Sequence, residues 1–255
     1  MNTADPLDHG AAVAAETARF AALVEGADLT LPVPSCPGWT LADLVRHTGG
    51  AQRMFTGLLR HRVQERPATR EVDMRLPEHE DGYADWLARG AAEAAEVFAA
   101  TDLDAPMWVW GADGHARFWV RRMLFETLVH RVDAERTLGR PFAIDRAAAR
   151  DGVDEFLVNL PFAAFFAPGL AALRGSGQRI RFVCADGGGE WVVALRPDGF
   201  GLVTDDARAD ADATVRADAA DLLLLLYGRV DRTTEAVSAS GDEALLDLWF
   251  ANSAF

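Results

Sequence analysis

Between residues 8 and 139 one pattern recurs four times: a run of about 20 residues with apolar side chains at helical spacing, then a loop broken by Pro or Gly. The runs cover 8–25, 41–61, 83–100 and 117–138. Thr40, followed three residues later by Asp43, has the form of a capping box and fixes the start of the second. Helices of that length are about 30 Å long and bury their apolar stripes best against one another, so an antiparallel four-helix bundle is expected.

Past Arg140-Pro141 the pattern changes. One more helix is expected over 145–160, followed by strand-like runs RIRFVCA, EWVVALR, FGLVTD and ATVRA. DGGG, PDG and an acidic stretch separate them and read as hairpin turns. Helices at 219–227 and 242–250 close the chain. The expected class is α+β: a bundle domain over 1–142, then a domain over 143–255 with a small, mostly antiparallel sheet.

Charge and composition remove several functions. The net charge is −14, which disfavours nucleic acid as a partner. All 25 basic residues are Arg, so chemistry that needs a lysine amine is excluded. Two cysteines, Cys36 and Cys184, are too few for a disulfide framework or an all-cysteine metal site. The start, MNTADPLDHG, has no basic or apolar leader, and the longest clean apolar run, Leu222 to Tyr227, cannot span a bilayer. A cytoplasmic protein without membrane contact is expected, as a monomer or homodimer.

The fourth helical run, FWVRRMLFETLVHRVDAE, places Glu126 and His130 four residues apart on a stripe that should pack inward. A carboxylate buried alone costs several kcal/mol, so it must be paired or hold a metal. His47 lies in the apolar set of the second run, beside Leu44, and points inward too. Two histidines and one glutamate suit Zn²⁺ or another divalent metal with an open fourth position. Arg122, one turn before Glu126, faces the same cavity or pairs with Glu126 or Asp133. Asp133 is either an acceptor behind a ligand histidine or a surface partner at i+3.

Other candidates read more plainly. His9, His61 and His79 lie at helix ends or in loops, and His115 in a loop at the surface. Cys36 precedes the second helix as a small buried residue and is not expected to be a nucleophile. Cys184 reads as core of a strand. Gly187, Gly188 and Gly189 form a turn, since no helix follows to make a phosphate loop.

VPSCPGWTLADLVRHTGG, FWVRRMLFETLVHRVDAE and DLLLLLYGRV followed by Gly-Asp occur in that order over nearly the whole chain. Together they resemble the mycothiol-dependent maleylpyruvate isomerase family, whose N-terminal half is a DinB-like four-helix bundle. The resemblance implies that His47, Glu126 and His130 hold a divalent metal, usually zinc. It also implies mycothiol, the small thiol of actinobacteria, as cosubstrate, with Arg122 as a catalytic and thiol-binding group, and a C-terminal α+β domain similar to sterol-carrier folds. The expected partners are a small-molecule thiol and an electrophilic substrate such as an unsaturated carboxylic acid. Thiol that adds and leaves isomerises the substrate; thiol that stays is transferred. The same position could instead activate water for hydrolysis, or the bundle could be a metal-stabilised binding or regulatory module.

Overall fold

The computed structural model describes residues 7–68, 73–203 and 210–253. Parts of the expected charged loop (69–72), of the acidic stretch (204–209) and of the N-terminus (1–6) lie outside the described residues. The contacts divide the chain into two compact units: one formed by residues up to Val109 and by Asp113–Ala143, the other by Trp110–Ala112 and the chain from Ile144 onward.

The first unit is the four-helix bundle expected from the sequence: α1 (His9–Val24), α2 (Leu41–His61), α3 (Tyr83–Ala100) and α4 (Arg117–Thr137). Thr40 caps α2 through the backbone N–H of Asp43, whose carboxylate accepts in return from the Thr40 N–H, a complete capping box. At the other end Arg62 turns the chain out with φ 45°. Side-chain contacts set the helix directions. On α2, His47 meets Glu126 while Phe55 packs on Trp119, so α2 and α4 are antiparallel. Arg46 meets Tyr83 and Arg60 meets Glu93, so α2 and α3 run the same way.

That parallel pair accounts for the long connection between them. A chain leaving the end of α2 must travel back along about 30 Å of helix before α3 can begin, which takes a long connection. Trp86 secures it by donating its indole N–H to the Met74 carbonyl. The core of this unit gathers Phe20, Leu41, Leu44, Trp86 and Leu87, none more than 1 % exposed.

The second unit holds α5 (Arg146–Asn159), α6 (Ala219–Leu226) and α7 (Glu243–Asn252) with five strands: β1 (Arg179–Cys184), β2 (Glu190–Arg196), β3 (Gly199–Leu202), β4 (Ala213–Ala217) and β5 (Ser238–Gly241). The order is β3-β2-β1-β4-β5, antiparallel except for the β1/β4 pair. The β1–β2 hairpin turns through Gly187 and Gly188, both at positive φ, a conformation that glycine adopts without steric cost. Ile180, Phe182 and Cys184 alternate inward from β1, and Trp249 of α7 packs its ring on Phe182 and Phe200. Among the described residues no helix is long and apolar enough to cross a membrane.

Three details differ from the sequence reading. The bundle is not antiparallel throughout, since α2 and α3 run the same way. The edge strand β5, SASG, has no apolar alternation to announce it and exists through its pairing with β4. Two short 3₁₀ turns, Leu160–Phe165 and Pro168–Ala172, follow α5 where no element was expected.

Candidate metal centre

The helical period that makes α2 and α4 amphipathic also aims three polar side chains at one point. His47 Nε2 lies 2.7 Å from Glu126 Oε1, and His130 Nε2 lies 3.4 Å from the same oxygen. The two imidazoles stand edge to face with centroids 5.0 Å apart. Arg122, one helical turn before Glu126 and 3 % exposed, donates through Nη2 to the other carboxylate oxygen at 3.0 Å. One oxygen of Glu126 is therefore held by a guanidinium, while the other faces both histidines.

His130 is buried, Glu126 is half-buried, and the His47 side chain is 41 % exposed. His47 thus faces α4 as its place beside Leu44 requires, yet it lies where the site meets solvent rather than in the core. Trp39, in the loop before α2, packs its ring 4.8 Å from His47 and 6.2 Å from His130 and forms one wall.

Behind His130 lies a second set of groups. Its Nδ1 is 2.9 Å from Oδ2 of Asp133, which is fully buried. Asp133 also accepts from the Ser35 hydroxyl at 2.6 Å and is 3.6 Å from Cys36 Sγ. Of the two roles open for Asp133 in the sequence, the surface one is excluded by this burial.

Charge follows the geometry. Burial works to raise the Glu126 carboxyl, but hydrogen bonds from His130 and His47 and the charge of Arg122 outweigh it, holding it well below the usual carboxylate range. Burial likewise opposes charge on His130, yet hydrogen bonding with Asp133 and Cys36 and the anionic Glu126 push its pKa well above 6.5.

Two groups of donor atoms are close enough to hold a cation: His47, Glu126 and His130, and Cys36, His130 and Asp133, each with its atoms within 4.8 Å of one another. The other sequence candidates lie elsewhere. His61 and His79 are exposed, and His115 is bound to Asp113 in its loop. Cys184 is buried in β1, where desolvation raises its thiol pKa. Ser35 and Trp39 escaped the sequence reading because a Pro-rich loop has no period from which to infer direction. Asp133 did leave a signal: it lies three residues beyond His130, on the same face.

Family descriptions cover both units. The mycothiol maleylpyruvate isomerase N-terminal domain matches residues 11–135, and the MDMPI C-terminal domain matches residues 147–248. Among solved structures, the chain is similar to the mycothiol-dependent maleylpyruvate isomerase, with a TM-score of 0.61 and 14 % identity over 92 % of this chain and 93 % of that one. A histidine-to-alanine mutant of that enzyme gives 0.62 and 13 % over the same shares. At such identity the likeness establishes the fold. The comparison with curated proteins gave no match.

Proposed function

The chain belongs to the mycothiol maleylpyruvate isomerase family, and from that premise we propose that it is a metal- and thiol-dependent isomerase or S-transferase acting on a small electrophile such as an unsaturated carboxylic acid. The observation that carries the reading is the convergence of His47 and His130 on a single oxygen of Glu126.

The donor set fits a divalent ion. Ligands on a tetrahedral zinc stand roughly 3.3–3.6 Å apart. The His130–Glu126 separation of 3.4 Å is already in that range, and the 2.7 Å of His47–Glu126 is a hydrogen-bond spacing that must open by under about 1 Å. Nitrogen, nitrogen and oxygen donors suit Zn²⁺ and leave a fourth position for an exchangeable ligand. When bound there, such an ion acts as a Lewis acid and makes a thiol nucleophilic at neutral pH.

The protein's own groups divide the remaining work. Arg122 holds one oxygen of Glu126, so the carboxylate offers its other oxygen in a fixed direction. Its positive charge lies where an anionic substrate or thiol group would be attracted. His47 and Trp39 line the solvent-facing side, through which thiol and substrate enter. Addition of the thiolate to a conjugated double bond leaves a single bond free to rotate. Loss of the same thiol then restores the alkene with changed geometry and returns the proton taken up, so isomerisation consumes nothing.

The test is turnover of a cis-unsaturated dicarboxylate, or conjugation of a bimane electrophile, with and without mycothiol. We expect turnover that requires the thiol and collapses in Glu126→Gln. Equal turnover without thiol would remove the thiol from the mechanism and point to water as the nucleophile. Bound metal with no turnover of any of these would make it a binding module.

A further inference from the structure

We propose that Asp133 is the positioning residue of this site: anchored by the turn at 33–39, it holds the Nδ1 proton of His130 so that Nε2 alone faces Glu126 and His47. The metal-affinity part of this inference rests on the reading above, whereas the state of the ring does not.

The first argument is that one imidazole cannot use the same nitrogen twice. Nδ1 of His130 is 2.9 Å from Asp133 Oδ2, and Nε2 is the atom next to Glu126 Oε1. The two cation-binding groups that share His130 therefore have unequal roles. Asp133 and Cys36 lie on the Nδ1 side and orient the ring; Glu126 and His47 lie on the Nε2 side and share the ion. A carboxylate that accepts from the far nitrogen of a ligand histidine fixes its tautomer and raises its basicity.

The second argument is that Asp133 is itself held from outside α4. It is fully buried, and its Oδ1 accepts from Ser35 at 2.6 Å. Ser35 lies in a closed turn: Cys36 N–H donates to the Val33 carbonyl, Trp39 N–H to the Cys36 carbonyl, and Val33 N–H to the Trp39 carbonyl. That turn also delivers Trp39 to the faces of both histidines. The loop before α2 thus positions His130 through Asp133 and walls His47 through Trp39. An apolar side chain at 35 would leave the buried Asp133 carboxylate without this donor, which is the reason a half-buried turn residue carries a hydroxyl there.

The experiment uses the full chain. Zinc affinity is measured by competition with a chromophoric chelator for wild type, Asp133→Asn and Ser35→Ala. The ring nitrogens of His130 are followed by ¹⁵N NMR in metal-free protein. Asn keeps the shape of Asp but can offer an N–H to Nδ1, so we expect its zinc affinity to fall 10- to 100-fold. Ser35→Ala, which leaves the carboxylate, should change affinity less than about threefold while lowering the melting temperature. Wild type should show a proton on Nδ1 engaged in a hydrogen bond, altered in Asp133→Asn. Asp133→Asn within threefold of wild type would overturn the proposal and leave Asp133 a structural residue. Should Asp133→Asn not fold, a wild-type Nδ1 without a hydrogen-bonded proton would overturn it just as well. A wild type that binds no zinc would refute the metal reading instead, and the ring signals would still decide this one.

Discussion

The two units bury different materials. Of the 13 buried polar or charged residues among the described ones, ten lie in the bundle and three, Glu155, Asn159 and Ser253, in the second unit. The bundle encloses Arg53, Arg122, Arg131, His130 and Asp133, and balances them with ion pairs such as Arg131 to Glu16 and Glu135. The second unit encloses Leu222 to Leu226, Phe156, Phe182 and Trp249 with little that is polar. Buried charge is weak evidence of stability, because desolvation offsets much of the attraction. A helical bundle that carries so much of it bears a desolvation cost that the apolar second unit avoids.

The largest effect that would break this comparison belongs to Trp249. Truncation to Ala at a fully buried ring packed against Phe182 and Phe200 should cost about 3–5 kcal/mol of stability, read as a lower denaturation midpoint. Metal affinity in the folded protein should be unchanged. A Trp249→Ala protein that lost its metal while still folded would show that the second unit shares the site.

His130→Ala is the converse. It should reduce zinc affinity at least about 100-fold, beyond what losing a hydrogen-bond partner of a ligand does, with helicity retained. Elemental analysis of purified protein checks it, and full metal content would place the site elsewhere.

Gly49→Ala sharpens the account of how the bundle closes. Ala is the better helix former by about 1 kcal/mol, which alone would stabilise α2. Yet a Cβ at Gly49 would run into the ring of Trp86, which is only 1 % exposed and also lies under the Arg53 guanidinium. Overpacking of this kind costs about 1–3 kcal/mol, so we expect net destabilisation in a thermal melt. A raised melting temperature would mean that the ring has room to move.

Thr40→Ala removes the α2 cap and should cost about 1 kcal/mol. The cap also carries a pH signature. Hydrogen bonds from the Thr40 hydroxyl and backbone N–H, and from Arg46, lower the Asp43 pKa from 3.8 to about 2. A lowered carboxyl stabilises the fold above its ordinary pKa and loses that contribution as pH falls through the lowered one. The stability difference between wild type and Thr40→Ala should therefore be flat above about pH 5 and narrow between about 5 and 2. A gap that stayed constant to pH 2 would detach Asp43 from the cap.

The smallest effect is expected for Cys36→Ser. Cys36 lies on the Asp133 side of His130, away from Glu126 and His47, and a serine hydroxyl can make the same hydrogen bond. Most activity should persist; near-total loss with normal metal content would make Cys36 a nucleophile and displace the external thiol.

How much was legible beforehand follows the same division. The period of 3.6 in 117–138 and of 2 in RIRFVC identified helices and strands because each element must turn an apolar face inward wherever it packs. The Thr40 cap was readable because it is completed within four residues. Glu126, His130 and His47 stood out because a polar residue on an apolar stripe is a local anomaly. The sequence by itself thus determined the kinds of element, the family resemblance and which side chains had to be accounted for. Tertiary structure alone decided that α2 and α3 run parallel, that SASG becomes an edge strand, that His47 keeps a solvent-facing side, that Ser35 reaches Asp133, and that Trp39 reaches both histidines. Each of these depends on which distant segments become neighbours. A loop closed by its own backbone hydrogen bonds has no period to declare a direction, so the hydroxyl that Asp133 accepts from could not be read beforehand.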